Sequence, residues 1–450
     1  MSVRAGASRG GGTPRRPVGA RTRAAQPLRP AGGTNAKSAS VRTTATPRRG
    51  GAPALPAGGT GGRPALQPSG PAARGRVPSV TAAVQRRRNV GGLLLVTAAL
   101  CLFGLATILA SSSVFAYAQY GDSLYFFTRH LLYALAGAVV LIVLWRLDYR
   151  TLRWANVPLL AVTIVLLIAV LVGGNVVDGA RRWLVAGPIS IQPSELAKLA
   201  MVLCLADVLS RKPHRLQEWR DALMPALPLL TVLAALVLRQ PDLGTALVLA
   251  GITLGMLVVA GVGARILAAC SIGGGAIGML LIWSAAYRRN RFLAFLDPFA
   301  DRMGGGYQAV QSLYSLGSGG VAGVGLGASR QKWFFLPNAH TDFVFAILGE
   351  ELGLLGTVSV LVLFGAFALL GIRIALRAPD LYGTLVAAGV VIWVLFQAIV
   401  NIGAVTAVLP ITGVPLPFLS SGGSSLLTLL AACGLLLSIA RQGVARPGRR

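Results

Sequence analysis

From about residue 90 onward, apolar positions come in long unbroken runs, not in the alternation of a half-buried strand. The runs lie near 91–111, 130–146, 157–173, 195–210, 223–238, 243–261, 264–286, 343–371, 382–408 and 421–440, and few residues in them are charged. A helical run of roughly 17–25 residues crosses a hydrocarbon layer about 30 Å thick. The pattern predicts an all-α integral membrane protein of about ten transmembrane helices. Two polar interruptions stand out, one at 174–194 and a longer one at about 287–342. Before residue 90 no hydrophobic periodicity exists.

Composition narrows the class. Of 450 residues, 54% are hydrophobic and only 12% charged, against roughly 25% charged in soluble domains. That excludes a soluble globular protein, a collagen-like chain and a disulfide scaffold. The four cysteines, Cys101, Cys204, Cys270 and Cys433, all fall in apolar runs without metal-binding spacing, so they read as small buried hydrophobes.

Charge is unevenly placed. Residues 1–89 hold 17 of the 42 Lys+Arg and none of the 14 Asp+Glu. Rich in Gly, Pro, Ala and Thr, this segment cannot bury enough apolar area to offset its ordering entropy. It reads as a disordered basic cytoplasmic tail drawn to anionic lipid, ending in the topogenic cluster Arg86-Arg87-Arg88. Without interleaved aromatics it does not read as a nucleic-acid binder. The expected organisation is a tail at 1–89, a polytopic domain at 90–441 with an outer loop at about 287–342, and a short basic tail at 442–450. With Arg86–Arg88 inside, the inner loops carry Arg146, Arg150, Arg153, Arg211, Lys212, Arg215, Arg220, Arg265, Arg373 and Arg377, so both termini are expected in the cytoplasm. The rule bends outside. Arg181 and Arg182 fall in one outer loop, and Arg288, Arg289, Arg291, Arg302, Arg330 and Lys332 in the other. An anionic partner on that face would account for them.

Ionisable residues at bilayer depth are costly and are candidates for function. Lys198 lies in a span, in Gln192-Pro-Ser-Glu-Leu-Ala-Lys198, where Glu195 and Lys198 share a helix face. They form either a self-neutralising pair with the lysine snorkelling outward or a functional cation site. Glu350 and Glu351, following Asn338-Ala-His340-Thr-Asp342, read equally as a polar seam or as functional acids. In the outer loop Asp297 and Asp301 stand among arginines; composition alone favours a solvated turn. Leu409–Ser425 carries three prolines and three glycines and cannot form a regular helix, so it is expected to wall a wet cavity.

Four segments together resemble the SEDS proteins (shape, elongation, division and sporulation): Gln192–Lys198, Gln240-Pro-Asp-Leu-Gly-Thr245, Lys332–Asp342 with Gly349-Glu-Glu-Leu-Gly353, and Leu409–Ser425. The likeness spans about 90–440. Within the family, Gly325–His340 is more similar to the FtsW division branch than to the RodA elongation branch. Ser421, where many members have Tyr, and Arg302, where a second Pro often follows the loop acid, depart from the pattern.

The resemblance implies a peptidoglycan glycosyltransferase that polymerises lipid II, an undecaprenyl-pyrophosphate-linked disaccharide peptide, at the outer face of the cell membrane during division. It implies Asp301, rather than Asp297, as the catalytic acid, and Lys198 facing the same cavity. Glu195, Arg291, Arg302, Lys332, His340, Asp342 and Ser424 are the further candidates for substrate binding. It also implies a class B penicillin-binding protein, an FtsI-like transpeptidase, as partner, together with other divisome proteins at the septum. The alternatives are a lipid II flippase and the elongation enzyme of the same family. No cofactor follows with certainty; a single loop carboxylate is not a metal site, and a divalent cation stays open.

Overall fold

The computed structural model describes residues 80–443 apart from Asp178, Pro188 and 212–217. The expected tails at 1–79 and 444–450, and the inner-loop cations Lys212 and Arg215, lie outside the described residues.

Each of the ten apolar runs is a helix. They are α1 (Val80–Tyr120), α2 (Tyr125–Arg146), α3 (Asn156–Gly173), α4 (Pro193–Arg211), α5 (Trp219–Arg239), α6 (Leu243–Val259) and α7 (Ala264–Trp283), followed after two short helices by α10 (Val344–Ala375), α11 (Leu381–Val405) and α12 (Gly423–Gln442). The short helices, α8 (Ala286–Leu296) and α9 (Tyr307–Gly319), lie in the long polar interruption. Among the described residues, eight helices are long and apolar enough to cross a membrane. The other two of the ten are α6, with 17 residues, and α4, which carries Glu195, Lys198, Asp207 and Arg211.

Two boundaries differ from expectation. α1 begins at Val80, so residues 80–89, expected in the tail, are helical. The Arg86 guanidinium donates to the Gly443 carbonyl at 3.2 Å, which gives the extension an anchor. The outer loop at 174–194, inside a domain expected to be all helix, forms a small antiparallel sheet ordered β1 (Asn175–Val177), β2 (Ala180–Ala186), β3 (Ile189–Ile191). Gly179 and Gly187 close its two turns at φ 76° and 59°, backbone that glycine adopts without steric cost.

One end of the bundle collects the basic loops. Arg150 pairs with Asp380 at 2.8 Å, and Asp207 takes Arg153 and, at 2.6 Å, Arg211. Arg441 donates to the Arg146 carbonyl at 2.9 Å and Gln442 to Asp148 at 3.0 Å. Burial would raise the Asp148 carboxyl, but the Arg150 N–H, Gln442 and the charges of Arg150 and Arg441 outweigh it and hold the group low. The start of α1 and the end of α12 therefore share this end.

Burial sorts the helices. α4 and α12 are enclosed along nearly their whole length, whereas α7 and α8 bury no residue. A long apolar span belongs in a core or facing lipid, and α12, with 89% of its apolar stretch buried, and α7, with none, illustrate the two cases. α2 and α12 meet closely because glycines leave room. A Cβ on Gly434 would stand 2.7 Å from the Leu141 carbonyl oxygen, and one on Gly137 2.5 Å from Leu430. Gly434→Val should therefore force the pair apart at a cost of about 1–3 kcal/mol. A lower melting temperature of the detergent-purified protein would register it; an unchanged one would deny the close approach.

Candidate functional site

The end opposite the basic loops carries the 174–194 sheet, the 287–342 loop and the proline-rich segment between α11 and α12. Between them lies a cleft of about 320 Å3 lined by Arg182, Arg288 and Arg291, by Ile282 and Phe292, and by Pro410, Ile411 and Thr412. Its lining thus combines cationic and apolar side chains. Arg182 donates to the carbonyls of Gln240, at 3.2 Å, and Pro241, which fixes the β2 strand over the start of α6. Asp242 caps α6, its Oδ1 accepting the Thr245 N–H at 3.0 Å and its Oδ2 the Thr245 hydroxyl at 2.8 Å. Gly244 follows because a Cβ there would stand 2.5 Å from the Thr412 carbonyl oxygen, so the proline-rich segment can lie against this helix start. Arg288 donates to the Leu281 carbonyl at 2.9 Å, closing the end of α7.

Asp301 lies beside a second, smaller pocket. Its Oδ2 accepts the Gly305 N–H at 2.8 Å, and Gly305 lines that pocket with Arg291, Gln308, Leu409 and Ile411. Arg291 and Ile411 border both hollows. The Asp301 carboxylate is exposed and organises the turn into α9, its backbone carbonyl accepting from Gly306 at 3.1 Å. Asp297 accepts the N–H groups of Phe299 and Ala300, both at 3.1 Å, and so serves the turn before it. Arg302 is exposed, its guanidinium 5.2 Å over the Phe299 ring.

Lys198 lines neither hollow. It is 1% exposed, and its ammonium donates to Glu195 Oε1 and Gln397 Oε1, 2.8 Å each, with the Trp393 ring centroid at 5.4 Å. The self-neutralising pair of the sequence reading is present, but the lysine does not snorkel outward; it is sealed behind the proline-rich segment. Ser424 also faces inward and accepts the Gln192 N–H at 3.1 Å, which ties the start of α12 to the segment preceding α4.

The remaining expected residues hold the 320–343 chain. Lys332, 7% exposed, bonds the Gly327 carbonyl and pairs with Glu351 at 3.5 Å. Glu350 accepts from the Ser329 hydroxyl and from the Arg330 N–H at 3.0 Å. The carbonyls of Glu350 and Glu351 accept from Val324 at 2.9 Å and Gly325 at 3.1 Å. The adjacent acids therefore act as the polar seam, and Lys332 is committed to them. His340 stacks on Phe115 at 4.8 Å and lies 5.0 Å from Phe126, while its carbonyl accepts the Ser421 N–H at 3.0 Å. The Asp342 carbonyl accepts from Asn401 at 2.7 Å.

Sequence reasoning passed over Gln397 and Asn401, which are 0% and 1% exposed in α11. Their signal was legible: two amides at i, i+4 in an otherwise apolar span. Among the described residues no group of three or more His, Cys, Asp or Glu could hold a metal ion.

Comparison with known proteins bears on the family and the fold. The cell cycle protein family that groups FtsW, RodA and SpoVE matches residues 92–444. Stage V sporulation protein E of Bacillus subtilis strain 168 is 43% identical over 355 residues, covering 78% of this chain and 96% of its own. A probable peptidoglycan glycosyltransferase FtsW of Geobacter metallireducens is 40% identical over 349 residues, covering 77% and 93%. Among solved structures, a chain from a study of the structural coordination of polymerization and crosslinking by a peptidoglycan synthase complex superposes with a TM-score of 0.65. It is 32% identical and is matched over 78% of this chain and 97% of its own length.

Removing one partner of a buried pair leaves the other charge uncompensated, at about 3–5 kcal/mol. Lys332→Met should accordingly loosen the 320–336 loop. Trypsin cleavage after Arg330 should then accelerate well above that in the wild type, and equal cleavage rates would show that the Glu351 pair does not hold the loop.

Proposed function

The chain belongs to the FtsW, RodA and SpoVE family of cell cycle proteins, and from that premise we propose that it is a peptidoglycan glycosyltransferase polymerising lipid II at the outer face of the cell membrane during division. The observation that carries the reading is the cleft, which combines cations with apolar side chains and shares Arg291 and Ile411 with the smaller hollow beside which the exposed Asp301 carboxylate bonds Gly305. An amphiphilic donor carrying a pyrophosphate and a long hydrocarbon chain has the chemistry those walls match.

In this reading a sugar 4-hydroxyl attacks the anomeric carbon of the donor glycan. The new glycosidic C–O bond forms as the bond to the lipid-linked pyrophosphate breaks. Asp301 accepts the hydroxyl proton as general base, and its exposure suits that task, because an ionised carboxylate can meet the acceptor and return its proton to water. Negative charge grows on the departing pyrophosphate, and preorganised cations stabilise it. Arg291 is the foremost of these. It borders both hollows, whereas Arg182 and Arg288 already bond backbone carbonyls. Lys198, Glu195, Lys332, His340, Asp342 and Ser424 support the site by shaping its walls. The partner is a class B penicillin-binding protein that cross-links the product, with other divisome proteins at the septum. A flippase would need the buried charges to open onto a path; here Lys198 and Glu195 neutralise each other.

Purified with its transpeptidase partner and given lipid II in detergent, the wild type should make glycan polymer. Asp301→Ala and Asp301→Asn should lose at least about 100-fold in rate while still binding the partner. Polymer from either variant at wild-type rates removes Asp301 from the chemistry. No polymer from the wild type, where no membrane has to be crossed, turns the reading toward transport. In cells, depletion should give undivided filaments, whereas loss of rod shape would move the assignment to the elongation branch.

A further inference from the structure

Residues 406–422 connect α11 and α12 without regular secondary structure, and Pro410, Pro415 and Pro417 withhold three N–H groups from any ladder. Gly413 adopts φ 72°. Buried carbonyls along such a path need partners from elsewhere. Two of them find partners on α11. The Gln397 Nε2 donates to the Pro415 carbonyl at 2.8 Å, and the Asn401 Nδ2 to the Val414 carbonyl at 2.8 Å.

The Gln397 amide can make its bond in only one orientation. Its Oε1 accepts two donors, the Lys198 ammonium and the Trp393 indole N–H, both at 2.8 Å. A cation at the oxygen fixes which end of the amide is which, so the NH2 group must face the proline-rich segment. The ammonium is itself held by Glu195 at 2.8 Å. A chain of contacts thus runs from the start of α4 through Lys198 and Gln397 to Pro415, five residues along from the Pro410 that lines the cleft.

We propose that Gln397 is a positioning residue through which the buried Lys198 charge sets the proline-rich wall of the cleft. Lys198 then acts on the wall rather than on the donor lipid. The consequence for turnover rests on the glycosyltransferase reading; the consequence for the wall does not.

Three variants of the full chain separate the possibilities. Gln397→Met keeps the length of the side chain but has neither an acceptor for Lys198 and Trp393 nor a proton for the Pro415 carbonyl. Gln397→Leu also removes both functions, and Lys198→Met removes the charge that orients the amide. Hydrogen exchange read by mass spectrometry should accelerate about tenfold over 411–419 in all three, with the α2 and α12 amides unchanged. Wild-type exchange of that segment in both Gln397 variants overturns the proposal. Should Gln397→Leu loosen the whole bundle, the near-isosteric Gln397→Met decides by itself. With lipid II and the transpeptidase partner, the double variant Lys198→Met/Gln397→Leu should be no slower than the worse single one, because both break one chain of contacts. Losses that multiply would show Lys198 acting independently and overturn the coupling. A wild type that makes no polymer sinks the catalytic reading, and the exchange measurement still decides the wall.

Discussion

A backbone that cannot form a helix, placed inside a bundle of helices, must have its carbonyls answered by side chains. That constraint organises the centre of this molecule. The chain between α11 and α12 has three prolines, and its carbonyls at Val414 and Pro415 are met by Asn401 and Gln397. Those amides are buried in a span, where they would be costly if left unmatched. Gln397 in turn takes the Lys198 ammonium, which has Glu195 beside it. Each polar group is thus tolerated because the next one answers it. The network joins α4 to α11 and to the proline-rich segment that directly follows α11, across 199 positions of sequence.

Two kinds of charge occupy the end that carries the cleft. Lys198 with Glu195, and Lys332 with Glu351, are enclosed and paired. Glu350 accepts from the chain at Ser329 and Arg330. These groups keep loops and walls in place. Asp301, Arg291 and Arg302 are exposed and can meet a ligand in water. General-base work needs a carboxylate that reaches its substrate and exchanges its proton, and a sealed, paired acid can do neither easily. Burial therefore divides residues that looked alike in sequence into those that shape the site and those positioned to react.

The helices were legible because a membrane span is a local property: length and apolarity within one window suffice. The SEDS-like motifs were legible for the same reason, being short words in fixed order. What escaped was set by distant partners. Nothing near Lys198 says that its second acceptor is Gln397, 199 positions away, so its direction could not be read. Lys332 looked like one more outer cation until Glu351 closed on it. The 174–194 loop did contain a turn signal, since Gly179 and Gly187 bracket the β2 segment, but three strands of three to seven residues are short against the surrounding apolar runs. The start of α1 was misplaced because charge and low hydropathy do not prevent a helix; Arg86 to Arg88 are ordinary helical residues with an anchor at Gly443.

The excess of positive charge in the loops at the cleft end can now be apportioned. A topology rule that disfavours cations there calls for a reason for each one. Lys332 answers Glu351, Arg302 lies over Phe299, and Arg182 and Arg288 bond backbone carbonyls that helix ends and turns leave unmatched. These four have internal reasons to be kept. Arg181, Arg289, Arg330 and Arg291 are left without such a reason, and of these Arg291, on α8, a helix that buries no residue, borders both hollows. An external anion is thus required to explain half of these eight cations, and Arg291 is the one that borders both the cleft and the hollow beside the Asp301 turn. In the reading proposed above, a pyrophosphate held at Arg291 would sit where the cleft that Ile282 and Phe292 help to line adjoins the hollow beside the Asp301 turn.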